Sequence, residues 1–145
     1  MQLTRYTDYA LRTLVQLALE PEGSTVGRIS ESYGISKNHL VKVVHRLGQL
    51  GYIRTVRGKS GGLYLAHAPE DINIADVVRD MEPNFAIVEC LQEEGGTCPI
   101  APVCALKGAV VRAQQAFMDV LHEYTLYDCV QNSSELGALL QLQEK

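Results

Sequence analysis

The sequence predicts a mainly α-helical protein, in which a winged helix-turn-helix domain precedes a long C-terminal helix. Three observations predict this fold. The first 50 residues contain three successive helical patterns, two short strand patterns then flank a glycine-rich turn, and a longer helical stripe lies near the C-terminus. Of the 145 residues, 46% are apolar and 21% are charged, a balance that supports a packed core and is not typical of a disordered chain.

The first two helices are bounded by recognisable start and stop signals. Apolar residues recur at helical spacing over residues 7–19, and a turn containing Pro21 and Gly23 ends this pattern. Thr25 is a suitable N-cap for a second, short helix that runs to about Tyr33, where Gly34 ends it.

The third helix is predicted over residues 37–50, with Ser36 as its N-cap. Its apolar stripe follows the spacing i, i+3, i+4, i+7 and consists of Leu40, Val43, Val44 and Leu47. Gly51 stands directly after it, where a left-handed residue is favoured. Because only residues 33–36 connect the second and third helices, the pair forms a candidate helix-turn-helix.

Two strands are predicted after the third helix, over residues 52–57 and 62–65. The turn between them, Gly-Lys-Ser-Gly at residues 58–61, suits a hairpin. Three helices followed by a hairpin with a basic tip make up a winged helix-turn-helix, and a further short helix is predicted over residues 74–81.

The longer helical stripe covers about residues 104–124. Its apolar residues alternate spacings of four and three, as in the seam of a coiled coil, and are Leu106, Val110, Ala113, Phe117, Val120 and Tyr124. A helix of this length, roughly 30 Å, has little surface of its own small domain to cover. We therefore favour a homodimer seam over packing within one chain.

The net charge of −4 hides an uneven distribution. Through Leu65 the chain has nine basic and four acidic residues, a balance of +5, whereas from Ala66 onward it has four basic and thirteen acidic residues, a balance of −9. Charge asymmetry of this kind is typical of a nucleic-acid-binding segment joined to another part. The composition therefore excludes a uniformly basic binder but not a basic module.

The sequence indicates a cytoplasmic protein with no membrane partner. The N-terminus has no apolar run of signal-peptide length, and no apolar segment of 18 residues follows. In the reducing cytoplasm the four cysteines are better candidates for metal or redox chemistry than for structural disulfides.

Two groups of residues are candidates for contacting DNA. The start of the third helix is where a recognition helix reaches base edges, and Asn is suited to adenine and Lys to guanine or phosphate. The glycine-rich turn places cations and backbone amides at a tip suited to phosphate or minor-groove contact. The candidates are Ser36, Lys37, Asn38, His39 and Lys42 in the helix and Arg57, Lys59 and Ser60 in the wing. The alternative for each is a solvated polar residue or a turn former, but their combination favours DNA binding.

Cys90, Cys98 and Cys104 form a second constellation, spaced C-x7-C-x5-C in a segment rich in Gly and Pro. Such a loop can direct thiols to one point and backbone N–H groups to sulfur, which suits an iron–sulfur cluster. The spacing is not the short C-x2-C typical of structural zinc. A thiol redox switch and an incidental grouping remain alternatives, and Cys129 is interpreted as a small buried apolar residue.

Several segments resemble the winged-helix iron–sulfur transcriptional repressors, and within them a nitric-oxide-sensing branch. The resemblance covers residues 3 to about 130 and is carried by residues 3–12 (LTRYTDYALR), 36–44 (SKNHLVKVV), 56–62 (VRGKSGG), 80–83 (DMEP) and the cysteine loop. It implies a 4Fe-4S cluster on Cys90, Cys98 and Cys104. It also implies that Asp8 of the other subunit completes the ligand set.

Two features separate this chain from other patterns in the family. A second branch uses a histidine three residues after the third cysteine, where this chain has Lys107, and the first cysteine spacer is longer than usual in the family. Asp8 need not be a cluster ligand. The alternative is an acidic residue near a helix start, where the helix dipole stabilises its negative charge.

These observations lead to the hypothesis of a homodimeric, cluster-dependent repressor that binds operator DNA and responds to nitric oxide. Residues 1–82 would form the DNA-binding domain, 83–103 the cluster loop, and 104–145 the dimerisation helix and tail. Two-fold symmetry predicts a pseudo-palindromic operator with half-sites about 34–36 Å apart or a multiple of that. The alternatives are a DNA-binding regulator with a thiol or zinc switch and, from another class, an enzyme or electron carrier. For an enzyme, the sequence offers no pairing of a catalytic base with a nucleophile.

Overall fold

The computed structural model of the chain describes residues 2–58, 61–92 and 95–142. Within these ranges the order of helices and strands is that of a winged helix-turn-helix followed by a long helix, which confirms the predicted fold class. The elements are α1 (Arg5–Leu19), α2 (Val26–Tyr33), α3 (Lys37–Gln49), β1 (Ile53–Val56), β2 (Gly62–Leu65), α4 (Ile74–Met81), α5 (Ala105–His122) and α6 (Ser133–Leu139). Short 3-10 helices lie at Pro69–Asp71, Glu89–Leu91, Ala101–Val103 and Asp128–Val130.

The core forms where α1, α3 and α4 meet beside the sheet. Leu14 of α1, Leu40 and Leu47 of α3, and Val77 of α4 are all fully buried, since each lies on the apolar side of its helix. The helices begin at capping residues: Thr4 accepts from the Thr7 N–H, and Thr25 accepts from the Arg28 N–H. α1 therefore begins two residues before the predicted start.

The helix-turn-helix connection is as short as predicted. Gly34 ends α2 in the left-handed region, with φ of 65°, and its N–H donates to the Ser30 carbonyl. The Ser30 hydroxyl donates to the Ile35 carbonyl at 2.6 Å, which fixes the turn from inside. Ser36 occupies the N-cap position of α3, but its hydroxyl makes no capping hydrogen bond, so it does not cap the helix as predicted.

The wing is an antiparallel hairpin whose second strand, β2, also pairs with the α1–α2 connection. Ile53 faces Leu65 and Val56 faces Gly62, while Ser24 forms an isolated bridge with Leu63. A Cβ on Gly61 would lie 2.4 Å from the Val56 carbonyl oxygen, so the wing turn closes only with glycine at this position.

The segment after α5 returns to the DNA-binding domain. Leu126 is fully buried in the core, its N–H donates to the Ile72 carbonyl at 2.8 Å, and the Ile74 N–H donates to the Tyr124 carbonyl at 3.0 Å. Half-buried Cys129 packs against the same core, which agrees with its interpretation as a small apolar residue. Burial, with the Asp128 charge adding to it, raises the pKa of the Cys129 thiol.

Only one edge of α5 contacts its own chain. Met118 and Leu121 pack against the core, while none of the 18 residues of α5, all of which the structure describes, is fully buried. Leu106 is 68% exposed and Val120 is 54% exposed. Of the predicted apolar stripe, Leu106, Ala113, Val120 and Tyr124 are exposed, whereas Val110 and Phe117 are half-buried.

The wing is anchored to α4 through Tyr52, and Tyr52→Phe tests this anchor. The Tyr52 hydroxyl donates to Asp80 Oδ2 at 2.7 Å, so its removal should lower the free energy of unfolding at pH 7 by about 1 kcal/mol. Burial, and then the hydrogen bond to Asp80, raises the pKa of Tyr52 above its usual 10.0.

The same anchor should produce a pH dependence. Above about pH 10, Tyr52 of the unfolded chain ionises while that of the folded chain stays protonated, so the wild type loses this part of its stability. Urea unfolding at pH 7 and at pH 10.5 should show the gap between wild type and variant narrowing. A gap of equal size at both pH values would contradict the anchor.

Candidate DNA interface and cysteine segment

The start of α3 presents its polar residues to solvent. Ser36, Lys37, Asn38 and His39 are all exposed, and Lys42 is exposed one turn further along the helix. The apolar side of α3 meanwhile packs through Leu40, Val43 and Leu47, all fully buried. The residues of α3 predicted to contact DNA are therefore exposed at and just after the start of the second helix of a helix-turn-helix, which is the part that reaches base edges in this class of fold.

The position of α3 is fixed from α1. The Tyr6 hydroxyl donates to the Lys42 carbonyl at 3.0 Å, and the rings of Tyr9 and His39 lie 6.5 Å apart. These contacts join the exposed start of α3 to α1.

The wing supplies a second cationic surface. Arg57 is exposed after β1, whereas Lys59 and Ser60, also predicted to contact DNA, lie outside the described residues. The guanidinium of Arg54, on β1, lies 4.6 Å from the centre of the Tyr64 ring on β2. The prediction did not include Arg54. Successive side chains of a strand point to opposite faces. Because Ile53 points into the core, the sequence could have shown that the neighbouring Arg54 points outward.

A second residue missed by the sequence analysis is Val41. It is 55% exposed on α3, between the polar start of the helix and Lys42. An apolar side chain on a recognition helix is suited to contact with a thymine methyl group. The signal was present in the sequence, since Val41 falls outside the predicted core stripe of the helix.

Asp8 lies on the first turn of α1 and is paired within its own helix. Its two carboxylate oxygens contact Arg12, at 3.1 Å from Nε and 2.8 Å from a terminal nitrogen. The Arg12 guanidinium in turn lies 5.8 Å from the centre of the Tyr33 ring, at the end of α2. Burial raises the pKa of Tyr33, with Arg12 opposing and Asp8 reinforcing the shift.

The three candidate cysteines occupy the irregular segment between α4 and α5. Cys90 lies in the 3-10 helix Glu89–Leu91, Cys98 lies in the loop before Ala101–Val103, and Cys104 is the N-cap residue of α5. All three are half-buried free thiols. Cys104 thus connects the cysteine segment directly to the helix that carries the exposed apolar stripe.

A clasp closes the loop between Cys90 and Cys98. Glu89 Oε1 accepts from the Thr97 N–H at 2.9 Å and from the Thr97 hydroxyl at 3.1 Å, and these bonds lower the pKa of Glu89. The Gly96 backbone lies so close that a Cβ there would be 3.0 Å from Glu89 Cγ. The residues next to both cysteines are therefore held together despite the long spacer.

The thiols themselves are not gathered into a finished ligand set. Among residues 2–58, 61–92 and 95–142, no group of three or more His, Cys, Asp or Glu side chains is arranged to hold a metal ion. Asp8, on α1, is engaged by Arg12 instead.

A helix-turn-helix with an exposed polar recognition face and an antiparallel wing defines a winged-helix transcriptional regulator. Residues 3–132 match the model of the Rrf2 family, described as an iron-dependent transcriptional regulator. The chain belongs to the Rrf2 family of transcriptional regulators, which confirms the resemblance detected in the sequence.

Relatives and solved structures agree with this assignment. The chain is 51% identical to the HTH-type transcriptional regulator NsrR of Bacillus subtilis (strain 168), over 99% of this chain and 100% of that protein. It is also 51% identical to NsrR of Halalkalibacterium halodurans, over 98% and 99% of the two chains.

The solved structures share the fold. CymR (YrzC), the global cysteine regulator of B. subtilis, has a TM-score of 0.74 and 26% identity, covering 91% of this chain and 98% of its own. T. potens IscR, with a TM-score of 0.75, 23% identity and coverage of 93% and 90%, supports the fold alone.

None of the helices in the described part of the chain combines the length and the apolar character needed for a membrane span.

Proposed function

We propose that this regulator is a homodimeric repressor whose binding to operator DNA depends on a 4Fe-4S cluster and is relieved by nitric oxide. The ligands would be Cys90, Cys98 and Cys104, completed by Asp8 of the partner subunit. The observation that carries the proposal is the set of three free, half-buried thiols on one segment, between the DNA-binding domain and an exposed apolar helix. As a regulator that binds operator DNA, the protein would act in the cytoplasm.

The donor set fits an iron–sulfur cluster in its chemistry. Cysteine thiolates are the usual ligands of such clusters. The stability of the clusters depends on hydrogen bonds to the sulfur atoms and on partial burial around them. Three thiols leave one position for a different ligand, and a carboxylate from a second chain is a suitable donor. When bound, the cluster supplies iron that reacts with nitric oxide.

The chain's own residues offer a route from this site to the recognition helix. An Asp8 carboxylate engaged as a ligand can no longer make both contacts to Arg12, and the Arg12 guanidinium lies against Tyr33 at the end of α2. Tyr33 directly precedes the helix-turn-helix turn at Gly34. A hundredfold change in operator affinity needs only about 2.7 kcal/mol of coupling.

The test is operator binding by anaerobic protein with and without its cluster, followed by addition of nitric oxide. We expect iron, labile sulfide and a visible absorption band in the loaded protein, at least a tenfold stronger operator binding than in the cluster-free form, and loss of that binding with nitric oxide. Equal binding by the two forms would contradict the proposal.

A thiol switch is the second candidate, because Cys90, Cys98 and Cys104 are three free, half-buried thiols on one segment. Protein without iron or labile sulfide, whose operator binding changes on reversible thiol oxidation, would favour this candidate. Zinc without a visible band would favour a metal switch of another kind.

The DNA contacts are proposed for Asn38 as a base reader and Arg57 as a phosphate contact, and alanine variants should separate the roles. Asn38→Ala should reduce the preference for operator over unrelated duplex by roughly 5- to 150-fold. Arg57→Ala should weaken both duplexes alike and reduce the slope of log affinity against log salt by about 1.

The matched control is Arg79→Ala, which removes an exposed cation from α4 that pairs locally with Asp76. This variant should leave binding and its salt slope unchanged. A uniform loss from Asn38→Ala on all duplexes would contradict its role in reading bases.

A further inference from the structure

The carboxylate of Glu82 makes a contact across the fold that local structure does not explain. Glu82 directly follows α4, and its Oε1 accepts from the Thr4 N–H at 2.6 Å and from the Thr4 hydroxyl at 3.2 Å. Both residues are half-buried, and 78 positions separate them in the chain. Hydrogen bonds to an ionised acceptor are stronger than those between neutral groups.

Thr4 determines where α1 begins. Its hydroxyl accepts from the Thr7 N–H at 3.3 Å, and its carbonyl accepts from the Asp8 N–H at 3.0 Å. Thr4 therefore binds Glu82 through its donors and the first turn of α1 through its acceptors. A carboxylate that fixes Thr4 also fixes the turn on which Asp8 lies.

The Glu82 side of this contact is anchored equally well. Met81, the last residue of α4, is buried in the core, and the Glu82 N–H donates to the Val78 carbonyl at 2.9 Å. Pro83 follows and begins the segment that leads to Cys90. Glu82 thus connects the end of α4 to the cysteine segment and holds the start of α1.

The same contact closes one side of a cleft of about 470 Å³. Leu3 and Thr4 line it from the N-terminal segment, Glu82 and Phe85 from the start of the cysteine segment, and Phe117 from α5. The N-terminus of α1, the cysteine segment and α5 therefore converge around Glu82.

We propose that Glu82 is a positioning residue, which holds Asp8 and the cysteine segment of one subunit at a fixed separation. The inference rests on the proposed function, since Asp8 would serve as a ligand to the cluster of the partner subunit. In a two-fold dimer each subunit gives its Asp8 and receives the other's, so this separation must be maintained for both sites to be completed together.

The experiment compares Glu82→Ala with Glu82→Gln, which keeps an oxygen acceptor for both Thr4 donors but removes the charge. Asp80→Ala is the matched control, because it removes a neighbouring carboxylate whose partner is Tyr52 of the wing. Hydrogen exchange in cluster-free protein reports on the start of α1 directly. Iron release from loaded protein to a chelator reports on the ligand set.

Glu82→Ala should speed amide exchange over residues 4–9 about tenfold and iron release several-fold. Glu82→Gln should lie between wild type and Glu82→Ala in both measurements, because a neutral oxygen accepts weaker hydrogen bonds than a carboxylate. Asp80→Ala should affect exchange near residues 52–56 instead. Unchanged exchange in Glu82→Ala would overturn the inference. So would equally fast iron release from the Gln and Ala variants, because the charge would then act on the cluster directly.

These outcomes are separate from a failure of the proposed function. Wild-type protein that binds no iron would contradict the function, whereas the exchange measurement on the same protein would still decide whether Glu82 fixes the start of α1.

Discussion

Replacing Cys98 with alanine is expected to remove iron from the anaerobically prepared protein and to abolish its response to nitric oxide. Cys98 lies between the other two candidate ligands in sequence, and the Glu89–Thr97 clasp holds the residue before it close to the residue before Cys90. A cluster left with two thiolates from this segment loses one of its strongest bonds. Changes beyond the direct ligands already cost 10- to 100-fold in metal affinity, so the loss of a ligand should exceed about 100-fold.

Cys129→Ala is the control for this prediction. Cys129 is also a half-buried free thiol, but it packs against the core beside Leu126, and its raised pKa disfavours the thiolate that binds iron. The variant should keep iron, sulfide and the visible band and should lose only a little stability. Iron retained by Cys98→Ala and lost by Cys129→Ala would contradict the proposed ligand set.

A parallel measurement separates loss of the cluster from loss of the fold. Cys98 is in an irregular segment outside the buried core, so cluster-free Cys98→Ala should unfold at the same temperature as cluster-free wild type. Its operator affinity should equal that of cluster-free wild type and should not change when nitric oxide is added.

The DNA-binding half was predictable because its determinants are local. Helical spacing from Leu40 to Leu47 places the buried side of α3, and the polar residues around it are consequently exposed. The wing strand over residues 62–65 was located correctly, since its flanking glycines and alternating side chains are both signals within a few residues.

Long-range contacts were not predictable in this way. Leu126 lies in the region assigned to the tail, yet it is fully buried between the elements of the DNA-binding domain. The carboxylates of Asp80 and Glu82 lie at the end of the predicted short helix and directly after it, and their partners, Tyr52 and Thr4, are 28 and 78 residues away. Residue spacing predicts which face of a helix is buried. It does not predict which distant part of the chain packs against that face.

The candidate cluster site illustrates the same limit. The cysteine pattern identified the donors, while their arrangement depends on the Glu89–Thr97 clasp and the tight approach of Gly96, neither of which has a sequence signature. The prediction that Asp8 is a ligand came from resemblance. Its pairing with Arg12 follows from ordinary i, i+4 helix geometry, so this contact was available from the sequence.

Leu106→Lys is expected to dissociate the dimer and, as a consequence, to abolish operator binding at concentrations that saturate the wild type. Leu106 is 68% exposed in the single chain, on the stripe shared with Val120. If that stripe is the dimer seam, the substitution buries an unpaired charge at the interface, which costs several kcal/mol. A loss of about 2.7 kcal/mol already raises the dimer dissociation constant 100-fold.

The loss of operator affinity follows because the dimer holds two recognition helices in one molecule. A dimer binds its second half-site as an intramolecular event, so a monomer loses about 10² to 10⁴ in affinity for the full operator while its contacts to one half-site are unchanged. Sedimentation velocity should therefore show a monomer, and titration should show equal affinity for a full operator and an isolated half-site.

Gln115→Lys provides the matched control on the same helix. Nine residues from Leu106 at ~100° per residue place Gln115 on the opposite side of α5, where it is exposed and donates to Asp119 at 2.8 Å. A lysine there can still pair with Asp119, so this variant should remain dimeric and bind the operator normally. A dimeric Leu106→Lys protein together with a monomeric Gln115→Lys protein would place the seam on the other face of α5. If both variants remained dimeric, the interface would lie outside this helix.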